Sequence, residues 1–518
     1  MADTRLKFII NAINRSETFM DYNINDDITK LYERQKQAIL NDNSLTNDEK
    51  TEAINLITRA FNSDKILSNE GTRRLCENCS KECLATSYCE HCVRTYLKNN
   101  FSNWTSENNE VDDLIQECQM KSLYPDQIIE WIPYNNLQNI EYITKGGCSE
   151  IYSAIWIDGS YIEWNSEEQQ LKRSGTFKVI LKKLENVESA NRSWLYEAKS
   201  HLSLVNKFAH IVKCFGLTQD ASTGDYMLVM EVMVTDLRNY LQHQRTWKEK
   251  INAVYNIAYA LRRIHYYNTV HRDLHSGNIL LNNDCWYIGD FGFCGPADKP
   301  LNSIYGNLPY VAPEVIIGKE YTFASDIYSV GIIMWEVSSG QLPFNNYEHN
   351  FDLAMKIVNG MRPRIKSGIP SEYKKLMKQC WDADPSNRPD INTLYNGIKK
   401  IRRVYFNNNN ANEFNPLENN NNSSQSNLSS GSTLTSSSKS NSLSTSKLYR
   451  FENLPEPTNA TEEEQEAFHS TPYDFDIPDN VEDEFNNNLP NGQDELGISE
   501  GMTSFIRRHI YINEKKHG

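Results

Sequence analysis

His271-Arg272-Asp273-Leu274-His275-Ser276-Gly277-Asn278 is followed, twelve residues beyond Asn278, by Asp290-Phe291-Gly292. Moving a phosphoryl group from a nucleotide to a hydroxyl requires a base near the acceptor and oxygen ligands for magnesium. Asp273 offers the base, and Asn278 and Asp290 offer the oxygens. His271 is read as a structural neighbour of Phe291 rather than as a proton acceptor, despite the convenient pKa of an imidazole.

Outward from this centre the chain supplies further parts in order. The octet resembles the catalytic loop of eukaryotic protein kinases, H-R-D-L-x-x-x-N, and the triplet resembles their metal-binding D-F-G. Upstream, Lys145-Gly146-Gly147-Cys148-Ser149 separates two expected strands, the second beginning at Ile151. A glycine-containing turn can bring backbone amides close to phosphate oxygens. This one is similar to the nucleotide-covering loop of kinases, with Thr144 and Ser149 at the places of its first and third glycines. Phe177 to Lys183 resembles the V-A-I-K strand, in which alternation turns Lys182 inward and Lys183 outward. Glu197 matches the helix carboxylate that holds such a lysine. Tyr226 to Met233 reads as a buried strand and its exit, where the kinase resemblance implies that Met230 sits behind the adenine pocket. The resemblance therefore implies ATP and magnesium as cofactors, with Lys182, Asp273, Asn278 and Asp290 as the catalytic set. It implies nucleotide binding by Gly146, Gly147, Ile151, Lys182, Glu197, Glu231, Met233, Asn278 and Asp290.

Downstream, Ala312-Pro313-Glu314 resembles the A-P-E anchor, and Glu314 is expected to pair with Arg388. Asp326 is expected to brace the backbone of the catalytic loop. Between these motifs, Ser303 and Tyr305 are modifiable hydroxyls, and Arg272 is an anchor for a phosphate placed there. His275 stands where serine/threonine kinases commonly carry lysine, and Asn307 where they usually carry threonine. The combination looks closest to the tyrosine kinase-like group. Trp131-Ile132-Pro133-Tyr134-Asn135 and Tyr310-Val311-Ala312-Pro313-Glu314 resemble kinase families expanded in mycorrhizal fungi.

The flanks read differently. In residues 1–70, Ile28, Leu31, Tyr32, Gln35 and Ile39 share one helical face, and Thr46 with Glu49 forms a capping-box spacing before a second helix. In residues 71–100, Cys76, Cys79, Cys89 and Cys92 form two C-x2-C turns that can converge on one zinc, which would replace the core so short a segment lacks. Cys83 and His91 are spare donors, and four reduced thiols without metal are the alternative. Residues 101–136 form a lead-in. Residues 403–518, rich in Asn and Ser, are too polar to offset chain entropy and are expected to be disordered. Serines there are candidate phosphoacceptors, and residues 468–475 and 505–511 are candidate docking motifs.

The expected architecture is α+β: a bilobal kinase fold at residues 137–402, with a β-rich N-lobe and a helical C-lobe. A helical, zinc-knuckle extension precedes it, and a disordered tail follows. Net charge of −15 argues against nucleic acid or anionic membrane as general partners. No apolar run is long enough to span a bilayer, and the start lacks a signal-peptide pattern, so the eleven cysteines are expected in an intracellular, cytoplasmic setting. The leading reading is a protein kinase acting on Ser or Thr hydroxyls of protein substrates in signalling, with Tyr left open. Thr144, Ser149 and His275 speak for the alternative, a pseudokinase scaffold, and a third reading gives the main task to a zinc-dependent partner contact. The intact charged residues weigh more, because they act on charge in the transition state.

Overall fold

A computed structural model describes residues 28–122, 124–145, 149–184, 194–205, 210–283, 285–292, 295–296, 304–407 and 446–470, with residues 5, 8–10, 12–13 and 15–16 before them. Helices α1 (Ile28–Leu40) and α2 (Asn47–Ser68) form a hairpin in which Tyr32 stacks on Phe61 at 4.3 Å. Thr46 and Glu49 close the start of α2 reciprocally, at 2.8 and 3.3 Å, satisfying two orphan amides as the spacing predicts. Beyond the short strands β1 (Arg74–Leu75) and β2 (Glu82–Cys83), α3 (Glu90–Asn99) completes the cysteine module. The lead-in does more than pack. It forms α4 (Asn109–Lys121), capped by Asn108, and β3 (Glu130–Trp131), which adds a parallel edge to the N-lobe sheet.

That sheet contains β4 (Leu137–Lys145), β5 (Glu150–Trp156), β8 (Phe177–Lys183), β9 (Cys214–Gln219) and β10 (Tyr226–Glu231), in the order β3-β9-β10-β8-β5-β4. The polar insertion between β5 and β8 is a hairpin, β6 (Tyr161–Asn165) and β7 (Gln170–Arg173). Its Trp164 and Leu171 are buried with Cys76, Tyr88, Cys92 and Leu97, so the insertion is the seat of the cysteine module. Helix α5 (Trp194–Val205) packs on the sheet at β9, and α4 lies beside it.

The C-lobe begins at β11 (Thr235–Asp236), α6 (Leu237–Tyr240) and α7 (Trp247–Tyr266). Strands β12 (Thr269–Val270), β13 (Ile279–Asn282), β14 (Cys285–Ile288), β15 (Gly295–Pro296) and β16 (Ile304–Gly306) carry the loops of the cleft. Helices α8 (Pro313–Ile316), α9 (Phe323–Ser339), α10 (Phe351–Val358), α11 (Ser371–Cys380) and α12 (Ile391–Asn407) form the rest. From Ser325 to Ser338, α9 is buried throughout, which explains its near-continuous apolar sequence. Among the described residues no helix is long and apolar enough to cross a membrane.

The tail departs from expectation. Residues 446–470 are ordered against the C-lobe, with β17 (Lys447–Tyr449) and α13 (Glu462–Ser470). Phe451, Leu454 and Phe468 pack on the main core, so a local apolar cluster overrides the polar average of the tail. Of the 468–475 motif, Phe468 packs on the main core and His469 bonds the Arg362 carbonyl. Residues 471–518, including the 505–511 motif, lie outside the described residues.

Candidate active site

Strand alternation turns Lys182 into the cleft, as the register predicts. Its Nζ lies 2.9 Å from Glu197 Oε1 and 2.7 Å from Asp290 Oδ1. Burial opposes the ammonium charge, but the Asp290 and Glu197 carboxylates outweigh it and hold the Lys182 pKa above its ordinary value. Lys183 points the other way, to Asp225 at 2.8 Å.

Asp326 fixes the catalytic loop. Its two oxygens accept the backbone N–H groups of His271 at 2.8 Å and Arg272 at 2.9 Å, and His265 Nε2 lies 2.9 Å away. Arg272 and Asp290 hold left-handed backbones at φ 72° and 55°, the kind of local strain that surrounding contacts must sustain at functional sites. Asn278 Nδ2 donates to the Asp273 carbonyl at 2.9 Å, so its amide oxygen is the atom left for a cation. His271 Nε2 donates to the Gly289 carbonyl at 3.1 Å, and its ring meets Phe291 at 5.2 Å. The structure thus agrees with a packing role for this histidine.

Phe291 also meets His201 of α5 at 5.3 Å. Two histidines and a phenylalanine therefore form a buried contact from α5 to the catalytic loop. His201 was not singled out from sequence, because the rings that give it meaning are remote in the chain. The A-P-E anchor is present: Arg388 donates to both Glu314 oxygens at 2.7 Å, a buried bidentate pair. Tyr305, expected as a modifiable hydroxyl, is buried in β16, and Tyr321 donates to its carbonyl. Ile151 sits opposite Lys182 in the sheet register, and Glu231 and Met233 are half-buried where β10 leaves for β11. Gly146, Gly147 and Ser303 lie outside the described residues.

On the acceptor side, His275 is buried beside Asp273, with Nε2 3.9 Å from Asp273 Oδ2. Burial pushes its pKa down to about 3, with the Arg238 charge adding to the effect, so the ring is neutral. Ser446 from the tail stands next to both residues, donating to Asp273 Oδ1 at 2.8 Å. The apolar run Leu448, Tyr449 and Phe451 was the available signal for this segment.

Away from the cleft, the sulfurs of Cys76, Cys79, Cys89 and Cys92 all lie within 4.8 Å of one another. Cys76 and Cys92 are 3.7 Å apart, and Cys79 and Cys89 are 3.6 Å apart. Tetrahedral zinc with bonds of about 2.3 Å spaces its sulfurs by about 3.8 Å, so the donor set fits that ion. The backbone N–H of Cys79 is the main cause that brings the Cys76 thiol down to about 7. Cys83 instead faces the Arg74 carbonyl and His91 the Glu82 carbonyl, so neither spare donor joins the four.

The model of one family, described as protein tyrosine and serine/threonine kinase, matches residues 137–398, just over half of the chain. The chain belongs to that family. The chain is 29% identical over 311 residues to a protein of Acanthamoeba polyphaga mimivirus named as a serine/threonine-protein kinase/receptor, covering 56% of this chain and 18% of that one. It is 31% identical over 228 residues to the serine/threonine-protein kinase roco8 of Dictyostelium discoideum, covering 40% of this chain and 12% of that one. The dual specificity protein kinase shkE of the same organism is 27% identical over 238 residues, covering 43% and 33%. The chain thus spans a minor part of the length of each of these relatives.

Proposed function

We propose that the chain is an ATP-dependent protein kinase that phosphorylates serine or threonine hydroxyls of intracellular signalling proteins, and we assign it to the tyrosine kinase-like group. The likeness of Trp131 to Asn135 to the families expanded in mycorrhizal fungi belongs to the same reading. One observation carries it: Lys182 bridges Glu197 and Asp290 in a cleft whose floor presents Asp273. Both ion-pair and metal-holding carboxylates must be in place for transfer in kinases.

ATP is the substrate that supplies the phosphoryl group, and magnesium neutralises its charge when bound. Asn278 and Asp290 would hold the metal through an amide and a carboxylate oxygen, the hard donors this ion takes. Lys182 would steady the phosphates. Asp273 orients the acceptor hydroxyl and takes its proton, while Asp326 and His271 keep the loop in shape. Glu231 and Met233 would supply backbone for the base, and Gly146, Gly147 and Ile151 are assigned to nucleotide binding from the sequence. The four-thiol module would hold one structural zinc, with no open position for catalysis.

Purified chain given magnesium and γ-labelled ATP should label an added protein. Lys182→Met and Asp273→Asn should each lose activity by about a hundredfold or more, the scale of a lost transition-state contact. Equal labelling by all three would assign the signal to a contaminant and remove the proposal.

A further inference from the structure

The position that an acceptor hydroxyl must reach is filled by the chain itself. Ser446 donates to Asp273 Oδ1 at 2.8 Å, and its Oγ lies 3.2 Å from His275 Nε2. His275 Nδ1 accepts the Gly277 N–H at 3.1 Å, so in the neutral ring the proton sits on Nε2, which donates to Ser446. The serine oxygen thus turns its proton toward a carboxylate while a second donor holds it, which is the geometry general-base attack requires.

The strand that follows continues the fit. β17 pairs antiparallel with β16, which lies between Asp290 and Glu314, with Gly306 opposite Lys447, Tyr305 opposite Leu448 and Ile304 opposite Tyr449. An extended peptide added to a sheet edge is a recurring mode of peptide recognition. A Cβ at Gly306, where φ is 144°, would come within 3.0 Å of Val311 and 3.5 Å of Asp273 Oδ1, so glycine keeps this edge open. Tyr449 is buried and stacks on Phe451 at 5.5 Å. Farther along, Thr458 N–H donates to the Val358 carbonyl at 3.0 Å, and Asn459 Oδ1 accepts the Ala383 N–H at 2.8 Å. At Gly360 a Cβ would meet the Ala460 nitrogen at 2.3 Å, so the tail lies directly on the C-lobe backbone.

We propose that Ser446 is this chain's own phosphoacceptor: residues 446–449 occupy the acceptor groove as an intramolecular substrate and keep other proteins out of it until Ser446 is modified. The proposal rests on the phosphoryl-transfer reading above. Ser446 Oγ attacks the γ-phosphorus of ATP and forms the new P–O bond. The bond from that phosphorus to the β–γ bridging oxygen breaks, ADP leaves with its electron pair, and the hydroxyl proton passes to Asp273. The product places up to about two negative charges beside the Asp273 carboxylate, and that repulsion unseats the strand.

The test uses the dephosphorylated full chain with magnesium and ATP, read by mass spectrometry. Phosphate is expected on Ser446 at a fractional rate that stays constant over about a hundredfold dilution, because a tethered acceptor keeps its effective concentration. Ser446→Ala, whose strand no phosphate can release, should label an added protein at the slow initial rate of the wild type and never accelerate, whereas Ser446→Glu should label it without the lag that the wild type shows while its own tail is being modified. A readout without turnover is amide exchange over residues 304–306 and 447–449, which Ser446→Glu should speed by about tenfold or more through local opening. Ser446 left bare while an added protein is labelled overturns this assignment and leaves transfer standing. Labelling of Ser446 that slows in proportion to dilution also overturns it. No label on any acceptor overturns both.

Discussion

The cysteine module and the tail both lie on the kinase domain, and they are held in different ways. The module shares a continuous core with the β6–β7 hairpin, from Cys76 and Tyr88 to Trp164 and Leu171, and the Arg173 guanidinium sits 4.1 Å over Tyr161 while it pairs with buried Glu130. The tail is held by a strand edge, single hydrogen bonds, one buried ring at Tyr449 and the half-buried rings of Phe451 and Phe468. A shared core comes apart only by unfolding, whereas contacts of the second kind open locally at low cost. One attachment is therefore structural, and the other is suited to being released.

The sharpest way to separate the two is through the thiols. Cys89→Ser should abolish binding of about one zinc equivalent and strip exchange protection from residues 71–100, since structural zinc is worth on the order of 10 kcal/mol of folding. Full zinc retention would break the contrast. Next, Arg173→Ala should lower stability by about 3 kcal/mol, because it leaves Glu130 buried without its partner. Thermal unfolding would show this as a lower Tm. On the other side, Phe451→Ala should free residues 447–449 to exchange at a cost of about 2 kcal/mol, less than for a fully buried ring, with the Tm of the lobes unchanged.

The smallest effect is one of pH. Burial holds the His469 pKa below its ordinary 6.5, against the pull of its bond to the Arg362 carbonyl at 3.0 Å. The undocked imidazole therefore takes a proton more readily than the docked one. Tail docking is full above pH 6.5 and weakens as pH falls below it. Exchange over residues 462–470 at pH 7.5 and 5.5 should show that trend, and His469→Gln should flatten it.

Most of the cleft was legible because charge chemistry dictates residue type and spacing. Lys182 followed from strand alternation, Asp326 and the Glu314–Arg388 pair from motif order, and the four thiols from two repeated turns. What escaped was set by long-range packing. The polar insertion gave no sign that Trp164 and Leu171 would seat the cysteine module. The tail was judged by average composition, which diluted the cluster of Leu448, Tyr449, Phe451 and Leu454. His275 was noted only as a departure from lysine; its hydrogen bond to Ser446 gives that departure a physical sense.

One mixture tests the whole scheme most directly. Wild-type chain and a mass-tagged Lys182→Met chain are combined with magnesium and ATP, and phosphate at Ser446 is counted on each. The cleft described above predicts phosphate on the wild-type chain and none on the tagged chain. Equal phosphate on both, or none on either, would contradict it.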